Sequence, residues 1–286
     1  LMIENQKIRV GITHGDTNGI GYEVILKTLS NPMLIELCTP VLYGSTKIAT
    51  YHRKALDMPG INFNVVQDAS GVKDDVNNIV DVIKEEVKVD LGQPTKAAGE
   101  AAFVVLERAV ADLKAGKIDV LVTAPINKST IQSEEFNFPG HTEYLEASMG
   151  DGNKSLMILY NERVKVALVT THLPISQAVL EKLELFNNAL KQDFAIEYPR
   201  IAVLGLNPHS GDNGLIGKEE KEVIIPALEE AADRKISCFG PYSADGFFGS
   251  GQYEHFDGVL AMYHDQGLAP LKTIGMESGV NYTAGL

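Results

Sequence analysis

Four short runs are apolar at nearly every position instead of every second one: DVLVTAP (119–125), VKVALVTT (164–171), RIAVLGL (200–206) and DGVLAMY (257–263). A strand with one wet face alternates. A strand that is apolar throughout is buried on both faces, as in a parallel sheet covered by helices on either side. That pattern constrains this chain more than any other feature.

The rest of the sequence agrees with it. KIRVGIT (7–13), TPVLYG (39–44), NFNVV (62–66) and SLMILY (155–160) also read as strands. GIGYEVILKTLS (19–30) reads as a helix, and TKAAGEAAFVVLERAVADLKAG (95–116) is the clearest one. Its Ala, Val and Leu positions recur every three to four residues and Gly116 can end it. Strand and helix alternate, which predicts an α/β fold with a mostly parallel sheet. At 286 residues and 44% hydrophobic content the chain suffices for one large or two smaller packed units. APINKST looks like a connecting segment, so a boundary is expected near Pro125, with 1–125 and 126–264 as the two domains.

Charge and cysteine content exclude some partners. A formal net charge of -13 repels phosphate backbones, so nucleic acid is not expected. Cys38 and Cys238 form no CxxC pair, which argues against a disulfide framework or a thiolate metal site and suits a reducing, cytoplasmic setting. LMIENQKIRVGIT has neither a basic leader nor a long apolar stretch, so we expect no signal peptide and no membrane span.

Three apolar runs end in a histidine. His172 follows VALVTT, His209 follows AVLGLNP, and His264 follows GVLAMY. In open parallel sheets ligands bind outside the carboxyl ends of the strands, so three imidazoles there can meet at one point. Three neutral imidazoles and a water make an open site for a divalent metal, and nitrogen donors suit zinc or cobalt. A single histidine after a strand is more often a capping or hydrogen-bonding residue than a ligand; the repetition in one structural context is what points to a metal.

Other candidates surround them. His141 and Thr142, in PGHTEYLE, open a helical pattern whose N-terminus can hold an anion, although Thr142 can equally be a cap. In YHDQGLAPLKTIG (263–275) Asp265 can orient an imidazole or act as a base, and Lys272 can bind an anion or carry a proton. Asp245 sits in a glycine- and proline-rich segment, GPYSADGFFG (240–249). His14 lies beside the glycine turn THGDTNGIGYE (13–23), which is neither GxGxxG nor a P-loop.

These motifs together resemble the 4-hydroxythreonine-4-phosphate dehydrogenase family of pyridoxal phosphate biosynthesis. GDTNGIGYE is similar to that family's GDPAGIGPE. TAPINKSTI, PGHTEYLE, VTTHLPI, LGLNPHSGDNG, GPYSADGFF and YHDQGLAPLK follow in the family's order. The departures are Thr17 and Asn18 in place of a Pro-Ala pair and Tyr22 in place of a proline.

The resemblance implies two α/β/α domains with a cleft between, similar to isocitrate and isopropylmalate dehydrogenases. It also implies that residues from about 265 to 286 rejoin the first domain. The assembly would be a homodimer whose site is shared between subunits. The metal (zinc, cobalt or magnesium) would be held by His172, His209 and His264. Substrate would bind at His141, Thr142, Lys272 and Asn281, with Asp245, Asp265 and Lys272 at the reacting hydroxyl. The family continues past NYTAGL through a segment with a substrate-binding arginine and a terminal helix.

The implied reaction uses NAD or NADP. It oxidises 4-phosphooxy-L-threonine to a β-keto acid that decarboxylates to 3-amino-2-oxopropyl phosphate. A related enzyme of threonate or erythronate 4-phosphate is one rival. A metal-dependent hydrolase and a binding protein for anionic metabolites are others.

Overall fold

A computed structural model describes residues 7–149, 152, 154–169 and 175–286. Two compact units divide at Met149. The first contains β1 (Arg9–Thr13), α1 (Gly21–Leu29), α2 (Pro32–Leu37), β2 (Thr39–Gly44), α3 (Thr46–Ala55), β3 (Asn64–Val66), β4 (Asn78–Asp81), α4 (Lys96–Lys114), β5 (Val120–Thr123) and α5 (His141–Met149). The second contains β6 (Leu156–Tyr160), β7 (Lys165–Leu168), α6 (Ile175–Gln192), β8 (Ile201–Leu204), α7 (Ile225–Asp233), β9 (Cys238–Tyr242), α8 (Ala244–Gly249), β10 (Gly258–Ala261), α9 (His264–Gly275) and β11 (Val280–Ala284).

The first sheet has the order β3-β4-β2-β1-β5, and every pairing in it is parallel. β2 is buried at all six positions because both its faces are covered. Leu42 packs with Tyr22 and Ile25 of α1 and Ile48 of α3 on one side. Val41 and Tyr43 pack with Val105 and Ala109 of α4 on the other. The side-chain period of two thus feeds two separate apolar layers from one strand.

The second sheet has the order β11-β6-β7-β10-β8-β9. Its last four strands are parallel, while β6 and β11 are antiparallel to their neighbours. Ile201 and Val203 face α6 and α7, through Phe186, Leu190, Ala227 and Ala231. Ala202 and Leu204 face α8 and α9, through Phe247, Leu268 and Leu271. Among the described residues no helix is long and apolar enough to cross a membrane.

The domain limits differ from the sequence expectation. The first unit extends past Pro125, because Ile131, Phe136 and Tyr144 pack on Phe103 and Leu106 of α4. At the other end, β11 is hydrogen-bonded to β6 from Val280 to Ala284, so this segment belongs to the second sheet and does not rejoin the first.

The glycine turn after β1 packs as core. His14 is fully buried, and its Nδ1–H donates to the Gly15 carbonyl at 2.7 Å. Tyr22 lies between two imidazoles, its ring centroid 5.2 Å from His14 and 4.9 Å from His52. The tyrosine that departs from the family pattern is therefore the middle of an aromatic stack, and its hydroxyl accepts from the Ser45 amide at 3.2 Å. His52 donates from Nε2 to the Thr17 carbonyl at 2.9 Å.

Two expectations follow from this packing. A Cβ at Gly99 of α4 would collide with the Thr130 carbonyl, a backbone atom that no rotamer change can move aside. Gly99→Ala should cost about 1–3 kcal/mol in urea unfolding, despite its better helix propensity; an unchanged midpoint would refute the close approach. Burial, opposed by the Gly15 carbonyl and reinforced by the nearby His52 ring, lowers the His14 pKa from 6.5 to about 4. Below pH 6.5 the unfolded chain takes up a proton that the folded ring refuses until about pH 4. This contribution is therefore complete above pH 6.5 and is lost as the pH falls toward 4, roughly 3 kcal/mol in all. His14→Asn should flatten the fall in stability between about pH 7 and about pH 4.5 relative to the parent; identical slopes would show that His14 does not contribute.

Candidate functional site

The second sheet brings β7, β10, β8 and β9 side by side, all running the same way. Their carboxyl ends lie along one edge, and that edge is where the candidate residues emerge. His264 is the first residue of α9, three positions after β10 ends. His209 lies in the loop after β8, and Asp245 in the first turn of α8 after β9. His172 follows β7 in sequence but lies outside the described residues.

Neighbouring side chains pair at this edge. The His264 Nδ1 and the Asp265 Oδ1 are 2.7 Å apart, with the two side chains 60% and 88% exposed. A carboxylate can only accept, so Nδ1 of the ring is the donor in this pair. A metal-bound imidazole commonly donates its other ring N–H to a carboxylate, the relation that His264 has to Asp265. The Asp245 carboxylate accepts from the Ser243 hydroxyl at 2.6 Å. This hydrogen bond, with the Gly246 amide and the His209 ring, holds its pKa below the ordinary carboxylate value. The structure therefore places His264 on Asp265, and puts Asp245 within the electrostatic reach of His209.

The loop bearing His209 has an unusual backbone. His209, Ser210, Gly211, Asp212 and Asn213 have φ of 52°, 51°, 79°, 42° and 59°. Five successive left-handed residues, only one of them glycine, cost roughly 1–2 kcal/mol for each side chain beyond glycine. The His209 side chain is exposed at the start of this run.

Two candidates lie farther off. Lys272 is exposed on α9, eight residues and so roughly 12 Å along the axis from His264. Asn281 lies opposite Leu159 of β6, and Leu159 lies opposite Val166 near the start of β7. It is three strands from β10 and is not drawn to the carboxyl-end edge. Among the described residues no group of three or more His, Cys, Asp and Glu side chains could hold a metal ion.

In the first unit, His141 and Thr142 occupy the N-terminus of α5. The His141 Nε2 is buried and has no hydrogen-bond partner. Burial, and then the Lys128 ammonium, push its pKa down, so the ring is neutral. Lys128 is a residue that the sequence does not single out. Only the fold of 126–141 shows that its charge bears on the ring; the one signal in the sequence was its place after β5, in APINKST. A helix N-terminus, an unpartnered ring nitrogen and an ammonium form a surrounding suited to an anion.

Residues 36–286 match the family described as pyridoxal phosphate biosynthetic protein PdxA. The chain is 59% identical to the 4-hydroxythreonine-4-phosphate dehydrogenase of Bacteroides thetaiotaomicron, with 99% of this chain and 80% of that protein covered. It is 37% identical to the D-threonate 4-phosphate dehydrogenase of Cupriavidus necator, with 97% and 86% covered. The crystal structure of a 4-hydroxythreonine-4-phosphate dehydrogenase from Burkholderia phymatum superposes with a TM-score of 0.83 at 36% identity, covering 99% of this chain and 88% of that one. The parallel strands, the motif order and these matches agree, and the chain belongs to the PdxA family of dehydrogenases.

Proposed function

We propose that this chain oxidises 4-phosphooxy-L-threonine at its C3 hydroxyl, with NAD as the hydride acceptor and a divalent metal at the strand ends. The observation that carries this reading is the row of parallel strands β7, β10 and β8, each followed in sequence by a histidine. The donor set suits a metal: His264, paired through Nδ1 with Asp265, and the exposed His209 both offer imidazole nitrogens. His172 is our third ligand, and nitrogen donors suit zinc or cobalt, with magnesium a poorer match. Following the family resemblance, we take the working form to be a homodimer in which the two subunits share the site. The two free thiols, Cys38 and Cys238, support a cytoplasmic setting.

When bound, the metal would polarise the hydroxyl and the nicotinamide would accept the hydride. The residues of the chain do the rest. Asp265 orients the His264 ring and, with Lys272, is our candidate to receive the hydroxyl proton. Loss of that proton and of the C3 hydride makes a β-keto acid. Its C1–C2 bond then breaks: carbon dioxide leaves, the bonding pair stays on C2 as an enolate, and C2 takes up a proton to give 3-amino-2-oxopropyl phosphate. The α5 N-terminus, with His141, Thr142 and Lys128, is our phosphate-binding group. NADP in place of NAD is distinguished by direct comparison of the two cofactors.

A second substrate has a specific observation behind it, the relative named for D-threonate 4-phosphate. The two substrates differ at C2, amine against hydroxyl, so an NADH absorbance assay with each separates them. A hydrolase would form no NADH with either.

His209→Ala should lower metal affinity and turnover by at least about 100-fold, beyond what loss of an outer partner costs, while the melting temperature changes little. A variant with parental metal content and rate would overturn the ligand assignment. Lys128→Ala should raise KM for the phosphorylated substrate by about 10-fold or more with kcat nearly unchanged, because it removes a charge-assisted contact remote from the reacting carbon. An unchanged KM would remove Lys128 from the phosphate site.

A further inference from the structure

The left-handed run from His209 to Asn213 needs something outside itself to hold it, and the neighbouring structure supplies one group at its centre. Glu220 is only 3% exposed. One carboxylate oxygen accepts the Asn207 backbone amide at 2.7 Å, and the other accepts the Asn207 side-chain amide at 3.0 Å. Asn207 immediately precedes the turn, and its own carbonyl accepts the Ser210 amide at 3.1 Å. The carboxylate also fills the space against two glycines. A Cβ at Gly211 would lie 2.5 Å from Oε2, and one at Gly205 would lie 3.2 Å from Oε1.

The helix geometry serves the same contact. Glu220 opens a π-helical turn, Glu220–Ile224, ahead of α7. Such wide turns are uncommon and recur at functional sites. Among the described residues Glu220 makes no ion pair, and a buried carboxylate without a cation is a poor contribution to stability alone. Its two partners are both N–H donors, so it is matched to them as a double acceptor.

We infer that Glu220, acting through Asn207, is the positioning residue that holds His209 in its left-handed turn and so sets the direction of its imidazole. As far as it concerns metal binding, this rests on the reading of His209 as a ligand. Glu220 does not touch the reacting atoms.

The test uses the whole protein, stripped of metal and with its seven histidines 13C-labelled at Cε1. The His209 signal is identified by its loss in His209→Ala. Glu220→Gln keeps the size of the side chain but offers one donor where two acceptors are needed. It should displace or broaden the His209 signal while leaving that of buried His14 in place. Cobalt titration should then show affinity lower by about 10–100-fold, the range for groups that orient a ligand. Glu220→Asp, which is too short to reach both Asn207 donors, should do the same and serves if the glutamine variant does not fold.

An unmoved His209 signal in a folded variant overturns the positioning role. So does a moved signal with unchanged cobalt affinity, provided His209→Ala itself weakens binding. If His209→Ala binds cobalt like the parent, the ligand reading fails; the NMR signal then decides the positioning role separately.

Discussion

The parallel hydrogen-bond ladder that joins β7, β10, β8 and β9 is the constraint on which the candidate site depends. A parallel ladder sends every carboxyl end to the same edge, so the loops that leave those strands leave together. His264, His209 and Asp245 come from segments separated by tens of residues, yet each emerges from the next strand along that edge. An antiparallel neighbour would have sent its loop to the opposite edge. β6 does run antiparallel; β11, antiparallel to β6, again runs with the parallel set, and Asn281 lies away from the candidate edge because it is the second residue of β11, level with Val166 near the start of β7.

The same edge shows how a rigid core supports a costly loop. Ile201, Ala202, Val203 and Leu204 are all fully buried, two against each helical layer. Their packing anchors the strand, and five residues after its end the chain enters left-handed backbone at His209. Local strain of this kind persists only where the surroundings over-determine it. Here the surroundings are the Asn207–Glu220 hydrogen bonds, the Ser210 hydroxyl on the Pro241 carbonyl at 3.2 Å and the Lys221 ammonium on the Asn213 carbonyl at 2.5 Å.

Much of the fold was legible in the residues. TPVLYG is β2 over its whole length, and the long helix expected over 95–116 is α4 from Lys96 to Lys114. Short elements were less visible. β4 is four residues beginning with a buried Asn78, whose side chain donates to carbonyls instead of packing as an aliphatic group would. β9 contains Gly240 and Pro241, residues that argue against a strand, and it is tolerated there because β9 is at the sheet edge. The boundary expected at Pro125 moved to Met149 because Phe136 and Tyr144 join the α4 core, a contact that no local pattern announces.

By itself the sequence determined the α/β class, the parallel character of the sheets and which residues follow the carboxyl ends of strands. Those are consequences of hydrophobic period and turn chemistry, which act over a few residues. Only the tertiary structure decided which strands are neighbours, that His264 pairs with an acid at an exposed edge while His14 is buried, and that Lys128 bears on His141. Those depend on long-range pairing and on burial. His14 and His264 are the same side chain, but one is sealed beneath Tyr22 and pushed to about pH 4, while the other is exposed and fixed by Asp265.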